Sequence, residues 1–273
     1  MPKLLKIGIV GCGAIGTSLA KTIAADFSGQ ACLSGINDTE AEKAYKLASE
    51  LKNQKLAELN LIGLINKSDL IIEATKASDA FKIAKKCILA GKDVMLMSVG
   101  GIIEHYKELS ILAAEKDSRI FIPSGAICGI DGLKAASCGK VKKVTLTTKK
   151  PPKAFLGIPY VLEKKIRLDN IKQDTIIFEG DAYMATKIFP QNINVAATLS
   201  IAGIGAKETT VRIIASPTAT RNTHEIEIES DSGRIRACTE NVVHPDNPKT
   251  SYLAVLSAIA TLKRILEPIK IGN

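Results

Sequence analysis

The stretch Leu5-Lys6-Ile7-Gly8-Ile9-Val10-Gly11-Cys12-Gly13-Ala14-Ile15-Gly16 decides the reading of this chain. Its first half is a mostly apolar run of strand length, and its second half is a Gly-x-Gly-x-x-Gly loop. Ile15, Leu19 and Ile23 then recur at i, i+4 and i+8, which puts them on one face of a helix. Three glycines alone are a weak signal, but between a strand and an amphipathic helix they define a phosphate cradle. Gly11 permits the tight turn, Gly13 lets backbone approach a pyrophosphate, and Gly16 allows close helix–strand packing. Ala14 and Ile15 open the helix, where unpaired N–H groups and positive potential meet. The ligand this pattern predicts is a dinucleotide, NAD or NADP.

The pattern continues outward. Residues 32–36 form a second apolar run that ends at Asn37-Asp38. An acid about 20 residues beyond the loop would bind the ribose 2′-hydroxyl of NAD. Asp38 stands 22 residues beyond Gly16, while Asn37 takes the strand-end position itself. A neutral Asn does not repel a 2′-phosphate, so both cofactors stay open. Thr39 and Glu42 are spaced as a capping box for a helix reaching Leu51. Residues 70–74, 94–98 and 120–122 are further strands. Ser78 is the expected N-cap of the helix after residue 74, and Gly91 is its C-terminal glycine. This alternation predicts a Rossmann-type, doubly wound parallel sheet with helices on both faces.

After Pro123 the pattern changes. Residues 141–147 alternate as a half-buried strand, and 149–153, with two prolines, are expected to be a turn or loop. Residues 193–204 are helical in composition. Residues 211–215, 223–228 and 234–239 are strands, and Asp231-Ser232-Gly233 pairs the last two as a hairpin. Grouped strands predict a second, α+β domain on a mixed or antiparallel sheet. The expected organisation is a dinucleotide-binding domain over 1–122 and a substrate domain over 123–246. Over 247–273, a terminal helix at 251–266 returns to the first domain.

Composition narrows the function. The chain has 273 residues and a formal charge of +9, but its lysines are scattered pairs and Trp is absent. A nucleic-acid role is therefore disfavoured. No apolar run reaches about 18 residues and no leader opens the chain, which predicts neither a membrane span nor secretion. Six cysteines without a C-x-x-C fit a reduced cytoplasmic thiol set. No metal-ligand spacing appears. Of three histidines, His224 shares a strand face with Ile226 and Ile228, which alone favours a hydrogen-bonded core residue. His105 and His244 are expected at the surface.

Several segments resemble the L-aspartate dehydrogenase family. They are the glycine loop, Ser124-Gly125-Ala126-Ile127-Cys128-Gly129-Ile130-Asp131-Gly132 and Phe189-Pro190-Gln191-Asn192-Ile193-Asn194-Val195-Ala196. Arg221-Asn222-Thr223-His224-Glu225-Ile226 and Asn247-Pro248-Lys249-Thr250-Ser251-Tyr252 complete them. The resemblance implies that His224 is the active-site residue and that the Ala126 backbone and Asn192 contact NAD. Asn222, Lys249 and Thr250 are then candidates for gripping the substrate. The implied reaction is oxidative deamination of L-aspartate to iminoaspartate, then oxaloacetate and ammonia. It also implies a homodimer that supplies quinolinate synthase for NAD synthesis. Dihydrodipicolinate reductases carry a double-His segment missing here. Sugar oxidoreductases carry Glu-Lys-Pro where this chain has Met97-Ser98-Val99-Gly100. Another amino-acid dehydrogenase or imine reductase of the same plan, or a dinucleotide-sensing regulator, is the alternative.

Overall fold

Strand β1 (Leu5–Val10) forms where the apolar run predicts it, with Ile7 and Ile9 fully buried. The structure is a computed structural model and describes residues 4–189, 193–245 and 247–272. After the glycine loop come α1 (Ala14–Asp26), β2 (Ala31–Asn37), α2 (Ala41–Glu50), α3 (Leu61–Lys67) and β3 (Leu70–Glu73). Then follow α4 (Ala77–Leu89), β4 (Asp93–Leu96), α5 (Tyr106–Glu115) and β5 (Ile120–Phe121). All five strands are parallel, in the order β2-β1-β3-β4-β5. Every residue of β3 is buried, as a strand covered on both faces requires. The strand order reverses between β1 and β3, the place where open α/β sheets bind ligands. The glycine loop leaves β1 at that point.

Two helix starts differ from the sequence reading. Helix α2 begins at Ala41, and no Thr39 capping box forms. Asp38 instead accepts the Glu40 N–H at 2.9 Å, while its other oxygen is held by the glycine loop. Ser78 lies inside α4, which starts at Ala77 after Lys76. Glu73 organises the approach to that helix by accepting both the N–H and the hydroxyl of Thr75 at 2.7 Å. At the other end Gly91 adopts φ +67° as expected, and its N–H bonds the Ile88 carbonyl.

The chain divides into two compact units, Met1–Pro123 with Val255–Lys270 and Ser124–Ala254 with Ile271–Asn273. The second unit contains α6 (Ile130–Ala136), β6 (Val141–Lys150), α7 (Pro159–Glu163), β7 (Thr175–Asp181), α8 (Ala182–Ile188) and α9 (Ile193–Ala202). It continues with β8 (Thr209–Ala215), β9 (Asn222–Ser230), β10 (Gly233–Asn241), β11 (Val243–His244) and β12 (Asn247–Ser251). Its main sheet runs β10-β9-β6-β8-β7 and is mixed: β6 and β8 are parallel and the other pairs antiparallel. One face is buried. Val144, Leu146, Val211, Ile213, Ile226 and Ile228 lie on it, over a cluster that includes Phe155, Phe178 and Phe189. The other face is charged: Lys149 pairs with Glu225, and Arg236 with Glu227.

Strand β6 is longer than expected. It runs to Lys150, through the Lys149-Lys150 pair assigned to a loop, because β8 and β9 hydrogen-bond to both its edges there. The last helix, α10 (Tyr252–Leu266), belongs to the first unit from Val255 onward, where Ala258 and Leu262 are fully buried among Ile7, Leu19 and Ile23.

Candidate active site

The three loop glycines are required for different reasons. Gly11 has φ +100°, and a Cβ there would stand 2.3 Å from the Ala74 carbonyl oxygen. At Gly16 a Cβ would lie 1.9 Å from the Gly11 carbonyl oxygen. Both are demanded by the fold. Gly13, at the N-cap of α1, has an ordinary φ of −73°, and a Cβ there would meet nothing within 4 Å. Its missing side chain keeps open only the space before the helix N-terminus. Ala14, Ile15 and Gly16 supply the first N–H groups of α1, which lack partners within their own helix. An open space facing N–H donors at the positive end of a helix fits a pyrophosphate.

The end of β2 closes this loop. The Gly11 N–H bonds the Asn37 carbonyl at 2.8 Å, and the Cys12 N–H donates to Asp38 Oδ2 at 2.7 Å. Asn37 turns its amide away, donating to the Leu59 carbonyl at 3.1 Å. Asp38, not Asn37, therefore presents its side chain to the loop. Burial, with a smaller push from Asp38, drives the Cys12 thiol up to about 12, so it stays protonated and inert. Glu73, fully buried, was not singled out from the sequence. Besides Thr75 it accepts the Ser98 N–H at 3.1 Å, tying the loop after β3 to the loop after β4.

In the second unit the buried face of the main sheet turns polar at one end. Thr239, His224 and Thr148 lie opposite one another across β10, β9 and β6. In the next row Asn241 faces Asn222. Lys150, one step beyond the Lys149–Thr223 pair, continues that row beside Ala215 of β8. Strand alternation brings these six polar side chains onto the face that carries Leu146 and Ile226 below them. His224 is 2% exposed, and its Nδ1 shares a 2.9 Å hydrogen bond with Thr148 Oγ1. Among the described residues Nε2 has no partner.

The electrostatics of this corner are those of a neutral base beside a cation. Burial first, and the positive charge of Lys150 second, lower the His224 pKa to about 3. The imidazole is therefore neutral at pH 7 and, buried with the charge of Lys150 beside it, a weak base. Lys150 is 9% exposed, and burial alone lowers its pKa to about 8. Among the described residues Asn222 Oδ1 is buried without a hydrogen-bond partner. Such an atom costs about 1–3 kcal/mol unless a ligand satisfies it.

The other expected site residues fall as follows. The Ala126 carbonyl accepts from Thr239 Oγ1 at 2.9 Å and from Asn241 Nδ2 at 3.0 Å, so any backbone contact to a ligand falls to its N–H. Asn241 is held in turn by Ser251 Oγ at 2.8 Å. Asn192 lies outside the described residues, as does the side chain of Lys249; Thr250 is half-buried in β12. His244 is buried against Tyr252 rather than exposed, because β11 pairs with β12 over it. His105 is half-buried and stacked 4.1 Å from Phe81. Sequence reading missed Thr148, Lys150, Thr239 and Asn241. Their signal was the period-two phase of β6 and β10, continued past the apolar positions.

Among the described residues no three His, Cys, Asp or Glu gather as a metal site, and no helix is long and apolar enough to cross a membrane. A cleft lined by Leu5, Asp69, Asp93 and Arg119 opens at the N-terminal ends of the first sheet. That is the wrong end for a ligand of this fold.

Residues 11–123 match the family model of the NAD binding domain of homoserine dehydrogenase, and residues 131–265 that of the aspartate dehydrogenase C-terminal domain. These two domains together define a pyridine-nucleotide oxidoreductase. The curated L-aspartate dehydrogenase of Methanosarcina barkeri is 43% identical over 272 residues, covering 99% of this chain and all of that protein. That of Nitrosopumilus maritimus is 36% identical, covering 98% and 99%. The chain belongs to the L-aspartate dehydrogenase family. The fold is shared with the crystal structure of aspartate dehydrogenase from Thermotoga maritima, at a TM-score of 0.71 and 23% identity, covering 99% of this chain and 100% of that one. A hyperthermophilic archaeal homoserine dehydrogenase in complex with NADPH aligns at 0.62 and 13%, covering 96% and 97%.

Proposed function

We propose that the chain catalyses the NAD(P)-dependent oxidative deamination of L-aspartate to iminoaspartate, which hydrolyses to oxaloacetate and ammonia. The observation that carries this is a buried, neutral His224 whose Nε2 is unpartnered in a polar corner, in a chain of this family. Bound NAD(P)⁺ supplies the hydride acceptor. His224 manages the protons. With Nδ1–H donating to Thr148, Nε2 takes a proton from the substrate ammonium or from the attacking water. The imidazolium so formed, still donating Nδ1–H to Thr148, returns that proton from Nε2. The Thr148 hydroxyl accepts from Nδ1–H throughout, so the ring passes between imidazole and imidazolium without moving a heavy atom.

Gly11, Gly13, Ala14, Ile15 and Gly16 hold the pyrophosphate, with Ala126 and Asn192 as further cofactor contacts. Asp38 favours NAD over NADP, because a carboxylate fixed at the loop repels a 2′-phosphate, while the neutral Asn37 leaves NADP usable. Asn222, Lys249 and Thr250 are substrate residues in this reading, and the orphaned Asn222 oxygen supports the first of them. A homodimer in the cytoplasm, passing its imine to quinolinate synthase, is the further reading that the family resemblance supports. The test is NADH formation with aspartate against a panel of amino acids. Turnover with aspartate exceeding that with glutamate, alanine and homoserine is expected, and turnover of another amino acid in preference overturns the assignment.

A further inference from the structure

Lys150 is buried at the polar end of β6, and among the described residues no anion meets it. Its neighbour Lys149 points to the opposite, charged face and pairs with Glu225 at 3.1 Å and Asp174 at 3.8 Å. Among the described residues no carboxylate or carbonyl accepts from Lys150 Nζ, and no acid offsets the cost of burying it. A buried ammonium is expensive unless paired. One explanation is a lysine whose stem packs while its head escapes to water, but at 9% exposure most of this side chain is covered. The other is that its partner is the substrate.

The neighbours of Lys150 agree on what that substrate carries. Asn222, in the same row of the sheet, buries an acceptor oxygen that nothing among the described residues satisfies. His224, one row below, presents an imidazole nitrogen with no partner among the described residues. A cation, a carbonyl acceptor and a neutral base together complement a molecule with a carboxylate, an ammonium and a proton to lose. We propose that Lys150 binds a carboxylate of the substrate, with Asn222 accepting from its ammonium group, and so turns its amine towards His224. This deepens the aspartate reading and rests on it. With a pKa of about 8, Lys150 is mostly protonated at pH 7, as an anion anchor must be. A carboxylate there also cancels the positive charge that helps keep His224 a poor base, so binding would ready the base.

The test compares Lys150→Met with Lys149→Met, two substitutions that remove the same charge from adjacent residues on opposite faces. Succinate, a dicarboxylate without the reacting amine, is titrated calorimetrically into wild type and both variants with NAD present. Lys150→Met is expected to weaken succinate roughly 10- to 150-fold, the range of a hydrogen bond to a charged group. The KM for aspartate should rise at least as far. NAD affinity should hold, and the melting temperature at pH 7 should rise, because an unpaired buried charge is gone. Lys149→Met should leave succinate binding within twofold. Equal losses in both variants would mean a bulk charge effect and overturn the proposal. So would unchanged succinate binding in a folded Lys150→Met, or no succinate binding by wild type. If wild type binds succinate through Lys150 but does not oxidise aspartate, the carboxylate subsite stands and the proposed reaction falls.

Discussion

Gly13→Val separates what the glycine loop does for the fold from what it does for the ligand. The native backbone at Gly13 has φ −73° and ψ −171°, which valine adopts without strain. The added Cβ meets nothing within 4 Å. Two smaller terms oppose each other. Removing a glycine from a compatible site stabilises by about 0.4–1 kcal/mol through the unfolded chain. Losing glycine at an N-cap costs a comparable amount. Net stability should therefore shift by less than about 1 kcal/mol, or roughly 2–4 °C in Tm for a chain of this size. The ligand fares differently. A side chain before the N-terminus of α1 keeps a pyrophosphate from the N–H groups of Ala14 and Ile15. Two hydrogen bonds to a charged group are worth about 3–6 kcal/mol, so NAD affinity should fall by roughly 10² to 10⁴. Gly16→Ala is the contrast: its Cβ would lie 1.9 Å from the Gly11 oxygen, two backbone segments must part, and the protein should lose stability first. Calorimetric titration of NAD and a thermal melt on each variant read both quantities. A folded Gly13→Val that binds NAD within threefold of wild type would refute the cradle.

The remaining predictions concern the acid–base residue, cofactor choice and pH. His224→Ala should lower kcat by roughly 10²–10⁴ while NAD affinity holds; near-normal kcat in a folded variant would return His224 to the role of core residue. Asp38→Asn keeps an acceptor for the Cys12 N–H but removes the charge, so kcat/KM should shift towards NADP by roughly tenfold or more. An unchanged cofactor ratio would show that the carboxylate does not face the 2′-position. The folded pKa of His224, about 3, lies below the ordinary value of 6.5. The unfolded chain therefore takes up a proton first as pH falls, and this group's contribution to stability is lost progressively from about pH 6.5 towards pH 3. In His224→Gln that loss is absent, so melting curves of variant and wild type should converge or cross on acidification. A constant gap between pH 7 and pH 4 would contradict the burial argument.

Much of the first unit was written locally. The apolar run of β1, the glycine spacing and the i, i+4, i+8 face of α1 are short-range patterns, and each formed in place. The inward direction of His224 followed from strand alternation alone; its catalytic role is what the family resemblance implies and what His224→Ala tests. The helix starts at Thr39 and Ser78 were misread because competing local partners, Asp38 and Glu73, were already committed to loops distant in sequence. The same reason hid Lys150. Two prolines and a lysine pair read as a loop, since nothing in the sequence says that β8 and β9 will close on both edges of β6. The alternation Val144, Leu146, Thr148, Lys150 was there to be read, but a lysine in the buried phase ordinarily signals that a strand has ended. The local sequence determined which residues turn inward, through backbone geometry that each segment carries by itself. Only tertiary structure decided that a lysine, an asparagine and a histidine from two strands more than 70 residues apart meet in adjacent rows at one end of the sheet, because register and burial belong to the assembled sheet.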